Sequence, residues 1–129
     1  MKRKILFRGK RADNGEWVYG YLTCNNVIVS EAVDFEEGYF ATEFWYKVVP
    51  ETIGQFTGLA DKNGTKIFDG NIVRFYDDSE DESTNGVVVF NADFCSFYVS
   101  MKGHEDIMLM AHWQYEVIGN IYDNKELLA

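Results

Sequence analysis

Short apolar and aromatic runs alternate with polar breaks along most of the chain. Alternating polarity favours β-strands, and the asparagine and glycine pairs at the breaks tolerate the positive φ that tight hairpin turns require. The pattern predicts strands at residues 5–8, 16–23, 27–30, 52–57, 72–76, 86–90, 94–101, 107–110 and 115–122. The predicted turns are Asp13-Asn14-Gly15, Asn25-Asn26, Asn63-Gly64, Asp69-Gly70, Asn85-Gly86 and Gly103.

Short strands with turns at such close intervals are typical of an all-β barrel or sandwich. We expect a partly open barrel built from short antiparallel strands. The clearest helical pattern is a short C-terminal helical turn at residues 125–128, which Asp123 or Asn124 can cap. Residues 38–45 fit neither a helix nor a strand well, because their aromatic side chains settle on no single helical face.

Glycines and aromatic residues within this pattern have structural interpretations. Glycine in a curved sheet marks a bulge, a bend or a close backbone approach, as predicted for Gly54, Gly58, Gly70 and Gly119. The alternating aromatics predict core positions at Trp17, Tyr19, Tyr21, Phe56, Phe68 and Phe75.

A partial internal echo bears on domain organisation. Residues 7–20 and residues 56–70 each read as strand, polar turn, strand and glycine bend. Spacings slip by one residue, and hairpins in general resemble one another, so the echo also fits chance similarity. We expect one domain over residues 1–129, in which two intertwined small β units, about 1–50 and 51–129, would account for the echo.

Composition indicates a globular protein. The chain has 129 residues, of which 47% are hydrophobic and 16% aromatic, enough to fill a core. No apolar run approaches the roughly 18 residues of a membrane helix, and the run after the basic start is too short for a signal sequence. We expect a cytoplasmic protein without membrane contact, in which Cys24 and Cys95 are reduced and buried.

Charge is distributed unevenly along the chain, which has a formal net charge of -9. Two segments hold five acids each and no base: residues 31–43 and residues 77–82. The other eleven acids face twelve bases, and six of those bases lie within the first eleven residues. The start of the chain is therefore basic, while its two acidic segments repel a phosphate backbone.

Catalytic and metal-binding patterns have little support in the sequence. Cys24 or Cys95 with His104 or His112 is the available thiol–base combination, and neither cysteine has a nucleophile motif around it. The two histidines lack a third metal ligand at a suitable spacing, and no glycine-rich phosphate loop is present. We expect a non-enzymatic protein with no catalytic residue, no bound metal and no cofactor.

The same residues carry a family resemblance. The matching motifs, in chain order, are Phe7-Arg8-Gly9-Lys10, Asn14-Gly15-Glu16-Trp17-Val18-Tyr19-Gly20-Tyr21, Val49-Pro50-Glu51-Thr52-Ile53-Gly54-Gln55-Phe56-Thr57-Gly58-Leu59, Asp61-Lys62-Asn63-Gly64, Ile67-Phe68-Asp69-Gly70-Asn71-Ile72-Val73 and Glu116-Val117-Ile118-Gly119-Asn120-Ile121-Tyr122. In this order and spacing they resemble the YopX family of phage and prophage proteins. The resemblance implies a small β-rich protein with SH3-like barrel character, no established biochemical activity and a place in the bacterial host cytoplasm.

The segment 35–46 suggests how such a protein could act, because it holds six aromatic residues among acids. These side chains either complete the core or form an exposed patch for a partner, since aromatics are enriched at interface centres. In the second case the basic start of one copy would meet the acidic aromatic segment of another in a homo-oligomer. The contact residues predicted on that basis are Phe40, Phe44, Trp45, Arg3, Lys4 and Arg8.

Three kinds of partner therefore follow from the sequence. The leading interpretation is a protein–protein contact, with a second copy or with an unknown phage or host protein. A nucleic-acid accessory role through the basic N-terminal strand is the main alternative, although the acidic segments disfavour nucleic acid. The third is an acidic DNA mimic that inhibits a host enzyme through residues 31–43 and 77–82.

Overall fold

The computed structural model describes residues 4–76, 83–111 and 114–128. The chain forms short antiparallel strands there, which confirms the all-β class. The strands are β1 (Phe7–Lys10), β2 (Trp17–Thr23), β3 (Val27–Val29), β4 (Ala32–Glu36), β5 (Tyr39–Thr42), β6 (Trp45–Lys47), β7 (Gly54–Ala60), β8 (Lys66–Phe68), β9 (Asn71–Tyr76), β10 (Ser83–Asn91), β11 (Ser96–Ser100), β12 (Ile107–Met108) and β13 (Gln114–Asn120). Two 3-10 turns, Pro50–Thr52 and Lys125–Leu128, complete the described elements, and the second is the predicted C-terminal helical turn. No helix in these ranges has the length and apolarity needed to cross a bilayer.

The chain divides into two compact units, Met1–Phe56 and Thr57–Ala129. In the first unit the strands follow the order β6-β3-β2-β1-β7, and adjacent strands are antiparallel. Beyond β6, Val48 forms an antiparallel bridge with Arg11, and the amide of Val49 donates to the carbonyl of Lys10 at 2.8 Å. The end of β6 thus returns to the end of β1, so the sheet curls on itself. Its expected SH3-like form stays a prediction.

Two glycines allow this tight curl. Ile28 and Val48 are buried on the inner face of the sheet, opposite Gly9 and Gly20. A Cβ atom on Gly9 would lie 3.0 Å from Cβ of Val48, and one on Gly20 would collide with the carbonyl oxygen of Val29. A larger side chain is therefore excluded at Gly20, and at Gly9 it would be crowded by Val48.

A two-stranded ribbon extends from β3 and β6. The amide of Ser30 donates to the carbonyl of Phe44 at 3.0 Å, and the Ser30 hydroxyl accepts from the amide of Glu43 at 2.8 Å. Beyond this point β4 and β5 pair with each other and form a two-stranded sheet. They are joined by Glu37 and Gly38, and the φ of Gly38 is +90°. We call residues 31–43 the acidic ribbon.

The second unit contains a five-stranded antiparallel sheet in the order β12-β11-β10-β9-β13. Within the same unit, the hydroxyl of Thr57 donates to the carbonyl of Ile67 in β8 at 2.8 Å. The core of the unit is formed by Ile67, Val73, Val88, Val99, Met101, Leu109 and Tyr115. Asn71 links β8 to β13 through its side chain, which accepts a hydrogen bond from the amide of Phe68 at 2.7 Å and donates one to the carbonyl of Gly119 at 3.1 Å. Gly70 has the positive φ of a turn, and Gly119 lies at a bulge in β13, as the sequence predicts for both.

Several predicted elements are corrected. Asn85 and Gly86 lie inside β10, so the predicted turn there is wrong. A Cβ on Gly86 would lie 2.6 Å from Cγ1 of Val99, so this glycine serves close strand packing. β11 begins only at Ser96 because the residues before it form a turn. Strands β4, β5 and β6 lie outside the predicted strands, whereas β8 corresponds to the second strand read in residues 56–70.

The predicted core positions are also wrong at Tyr19 and Tyr21, which are exposed. Phe68 is buried as predicted. Both tyrosines lie on the face of β2 that is opposite Gly20, and Gly20 points into the curled sheet. The aromatic side chains of β2 therefore lie on the outer face of the sheet.

Candidate functional site

The outer face of the first unit's sheet combines aromatic and basic side chains. Residues directly opposite each other on paired strands share a face, and the residues of one strand alternate between faces. Because Arg8 pairs with Tyr19, Tyr21 with Val29, Val29 with Trp45 and Val27 with Lys47, one face extends across four strands. We call this surface the outer face; its aromatic and basic members are Arg8, Lys10, Trp17, Tyr19, Tyr21, Trp45 and Lys47.

Trp17 lies between two cations on this face. The guanidinium of Arg8 is 4.6 Å from the centre of the Trp17 ring, and the ammonium of Lys10 is 5.6 Å from it. Both distances are within the range of cation–π attraction, for which tryptophan is the best acceptor. Arg8 itself is buried, and Trp17 and Lys10 are half-buried. The contacts hold the indole ring in a fixed position along the sheet.

An open pocket of about 440 Å³ adjoins the exposed side chain of Trp45. The Arg11 guanidinium lies 3.8 Å from the centre of the Tyr46 ring and forms an ion pair with Asp13 at 2.6 Å. The hydrogen bond between them raises the pKa of Arg11 and lowers the pKa of Asp13. The residues that line the pocket are Arg11, Ala12, Asp13, Trp45, Tyr46 and Lys47.

The acidic ribbon exposes aromatic side chains at its tip. Tyr39 is 58% exposed and Phe40 is 59% exposed. Because Glu36 pairs with Tyr39, these two side chains share one face of the ribbon, and Phe40 lies on the other. Asp34 shares the face of Tyr39, and the carboxylates of Asp34 and Glu36 belong to exposed residues. The Tyr39 face of the ribbon is therefore both aromatic and negatively charged.

One hydrogen bond links the base of the ribbon to the outer face. The hydroxyl of Tyr21 donates to Oε1 of Glu31 at 3.1 Å. This hydrogen bond, together with desolvation and the charge of Glu31, raises the pKa of Tyr21 above its ordinary value. The aromatic edge of the outer face thus meets the first acid of the ribbon.

The contact residues that the sequence predicts differ in their exposure. Phe40, Trp45 and Lys4 are exposed, and Trp45 is 63% exposed. Phe44 is half-buried and stacks on Tyr46 with ring centres 5.2 Å apart. Arg8 is only 6% exposed, and its guanidinium lies against the Trp17 ring. Arg3 lies outside the described residues.

The sequence does not identify the contribution of β2 to this surface. The sequence predicts core positions for Tyr19 and Tyr21, and Lys10 and Lys47 are too far apart in the chain to be recognised as neighbours on one surface. A signal for the correct assignment is Gly20, which alternates with these tyrosines and marks the face with the least space. The expectation that the aromatics of residues 35–46 complete the core is wrong for Tyr39, Phe40 and Trp45, which are exposed.

The two cysteine thiols, which the sequence predicts to be buried, lie in exposed turns. Cys24 and Cys95 are free and exposed, contrary to the buried state expected for them. They have φ values of 56° and 51°, so each occupies a left-handed turn position instead of the strand interior. His112 lies outside the described residues, as does the acidic segment 77–82 of the DNA-mimic hypothesis. Among the residues that are described, no three His, Cys, Asp or Glu side chains are grouped as metal ligands.

Comparisons with known proteins agree with this fold. A family model described as YopX protein matches residues 6–129. Among solved structures, the crystal structure of protein EF1440 from Enterococcus faecalis is similar, with a TM-score of 0.68 and 21% sequence identity. The similarity covers 99% of this chain and 100% of the other, and at this identity it shows the fold alone. No curated protein matches the chain.

Proposed function

The chain belongs to the YopX family, and from the surface of its first unit we propose that it is a non-enzymatic module that binds a protein partner through the acidic ribbon. In this proposal it is a phage or prophage protein that works in the cytoplasm of the bacterial host. The observation that carries the proposal is the exposure of Tyr39 and Phe40 at the tip of the ribbon.

A two-stranded ribbon by itself is only marginally stable in water, because it has no second layer to cover its apolar side chains. The ribbon nevertheless carries large aromatic side chains on both of its faces. Tyrosine and phenylalanine are enriched at the centres of protein interfaces, where they bury a large area at low entropic cost. Binding of a partner would cover the exposed rings of Tyr39 and Phe40 with a second layer.

The family motifs support a non-enzymatic role, because their polar residues hydrogen-bond the backbone. Asn71 bonds the backbone of Phe68 and Gly119, as described above. Asn120 accepts from the amides of Tyr122 and Asp123, both at 2.9 Å. Side chains used in this way position turns and strand ends, and their polar atoms are engaged within the fold.

Site-specific photo-crosslinking tests the proposal. A photoreactive phenylalanine analogue replaces Tyr39 in the full chain, which is produced in bacteria that carry the phage or prophage and is irradiated there. We expect a crosslinked protein adduct from position 39. The matched control carries the same analogue at Phe94, an exposed aromatic of the second unit. Absence of any adduct from position 39, or an equal pattern from position 94, would contradict the proposal.

A nucleic-acid accessory role is a second candidate, favoured by the position of Trp17 between Arg8 and Lys10. Single-stranded nucleic acid binds to surfaces where aromatic rings stack on bases and cations neutralise phosphates. Fluorescence anisotropy with single- and double-stranded oligonucleotides at low salt measures this binding. If the role is correct, the single strand binds and Lys10→Glu weakens its binding; no binding at low salt would exclude this candidate.

A further inference from the structure

We infer that the partner of the acidic ribbon is a second copy of this chain, and that its outer face receives the ribbon. The inference rests on the proposed function and names both the partner and the docking site. The contact is formed by the Tyr39 face of the ribbon in one copy and by the outer face around Trp17 and Trp45 in the other.

Aromatic surface is available on both sides of this contact. On the receiving copy, Tyr19, Tyr21 and Trp45 are exposed on the outer face. On the donating copy, Tyr39 is exposed on the same ribbon face as Glu36. Packing of these rings would remove apolar area from water on both copies at once, which is the main source of favourable free energy in association.

Charge decides which surface the ribbon can approach. From residue 31 to residue 46 the chain has five acids and no base. The outer face supplies Lys10 from β1 and Lys47 from β6. Lys4, which is exposed, precedes β1. A surface of one sign attracts the opposite sign and repels its own, so the ribbon is directed toward the outer face and away from other acidic regions.

The outer face also suits the ribbon better than it suits a nucleic acid. Glu31, which hydrogen-bonds Tyr21 on this face, repels any acidic occupant, and the repulsion is greater for a phosphate backbone, which carries a charge on every nucleotide. An acidic, aromatic protein segment satisfies the lysines with few charges and places rings against rings. The observations therefore favour a second copy over an oligonucleotide as the occupant.

The ribbon and the outer face are different surfaces of one chain. Two copies can exchange ribbons in an isologous dimer, or the copies can be joined head to tail in a closed ring. In both arrangements every copy uses one ribbon and one outer face. Self-association would therefore require both surfaces to be intact in the same solution.

Sedimentation of charge-reversed variants tests the inference. The ribbon variant is Glu36→Lys with Glu37→Lys, and the face variant is Lys10→Glu with Lys47→Glu. The control variant, Glu105→Lys with Asp106→Lys, changes the net charge as the ribbon variant does but lies at exposed positions of the second unit. We expect wild type and control to self-associate at low salt, and both test variants to associate at least about tenfold more weakly. Circular dichroism establishes that each variant is folded.

Mixing the two test variants gives the decisive measurement. The ribbon variant places lysines at positions 36 and 37 against the basic outer face, and the face variant places glutamates at positions 10 and 47 against the acidic ribbon, so in each variant the substituted positions meet like charges. In an equimolar mixture, the substituted ribbon of one variant meets the substituted face of the other with opposite charges, and the unchanged ribbon meets the unchanged face. We expect the mixture to regain the wild-type sedimentation pattern and to lose it as salt increases.

Each other outcome overturns the inference. A wild-type chain that stays monomeric at high concentration and low salt removes the second copy as partner, as does a ribbon variant that associates like the control. Failure of the mixture to regain association shows that the ribbon does not meet the outer face. Dissociation of the wild-type oligomer by a single-stranded oligonucleotide that binds tightly to the outer face assigns that face to nucleic acid instead. If the chain is monomeric but position 39 crosslinks another protein, the proposed function stands and this inference fails.

Discussion

The side-chain carboxylate of Asp61 accepts a hydrogen bond from the backbone amide of Val117, 56 residues further along the chain, at 2.9 Å. Its other oxygen accepts from the amides of Asn63 and Thr65, both at 2.9 Å. Val117 belongs to β13, which is an edge strand of its sheet. Asp61 thus supplies an acceptor that a neighbouring strand would otherwise provide. One buried carboxylate closes a turn and holds a sheet edge.

We predict that Asp61→Asn destabilises the protein. The substitution preserves the size of the side chain but puts an NH₂ group in the place of one acceptor oxygen, so at least one backbone amide loses its partner. Hydrogen bonds to a charged group contribute about 1.5–3 kcal/mol each, and we expect a loss of about 2 kcal/mol. Urea denaturation of the full chain measures it, with Asp106→Asn at an exposed position as the matched control. Equal midpoints for the two variants would show that the carboxylate contributes nothing.

The same residue predicts a pH dependence. Burial raises the pKa of Asp61, but the hydrogen bonds from Val117, Thr65 and Asn63 outweigh it and hold the pKa below the ordinary value of 3.8. Because the folded pKa lies below the unfolded one, the stabilisation is complete above the unfolded pKa and is lost as pH falls through the folded pKa. We expect the unfolding free energy of wild type to fall more steeply than that of Asp61→Asn between about pH 5 and about pH 3. Parallel slopes would contradict the assignment.

Local chemistry made the turns of this fold predictable. Asn63-Gly64 and Asp69-Gly70 form turns as predicted, because these turns require a residue with positive φ and glycine adopts it readily. The long-range partner of Asp61 was not predictable, since a sequence does not show that Val117 lies beside it. Asn85-Gly86 has the same residue types as the Asn63-Gly64 turn but lies in β10. The side chain of Val99 leaves no room there for a Cβ atom on residue 86.

The candidate site was predictable only in part. The excess of aromatics in the acidic ribbon marks it as unusual, but the exposure of Tyr39 depends on β4 and β5 forming a two-stranded sheet of their own among the described residues. In β2, the alternation of Trp17, Tyr19 and Tyr21 with Val18, Gly20 and Leu22 gives two faces of mixed character. The prediction that the larger side chains of β2 face the core is wrong for Tyr19 and Tyr21, because the curled sheet has no space for them opposite Ile28 and Val48.

We predict that Gly20→Ala disrupts the first unit. A Cβ at this position would collide with the backbone oxygen of Val29, and a backbone atom cannot move aside as a flexible side chain can. The expected cost is about 3 kcal/mol or more. Gly64→Ala is the control: its Cβ would meet nothing within 4 Å, and only its φ of +84° opposes the change, at a cost of about 1–2 kcal/mol. Thermal unfolding compares them, and a Gly20→Ala chain as stable as Gly64→Ala would refute the close packing of β2 on β3.

The hydrogen bond between Tyr21 and Glu31 predicts a shifted ionisation. This bond is the largest cause of the raised pKa of Tyr21, since the phenol donates its proton to the carboxylate only while it is neutral. We expect Glu31→Gln to lower the pKa of Tyr21 toward the ordinary value of 10.0. An NMR titration of ring-labelled tyrosine follows the resonance of Tyr21, with Glu16→Gln as a control acid outside this bond. An unchanged Tyr21 titration in Glu31→Gln would mean that the ribbon base is not tied to the outer face in solution.

The turn positions of Cys24 and Cys95 predict two further results. Both residues have a left-handed φ, which costs an L-residue other than glycine about 1–2 kcal/mol. Cys24→Gly relieves this strain, while Cys24→Ala keeps it, and glycine's greater freedom in the unfolded chain offsets part of the gain. We expect Cys24→Gly to be more stable than Cys24→Ala by about 1 kcal/mol in urea denaturation, and the same order for the two substitutions at Cys95.

Because both thiols are exposed, they should also react with a disulfide reagent before the protein unfolds, and a thiol that reacts only in denaturant would contradict the turn geometry at that residue.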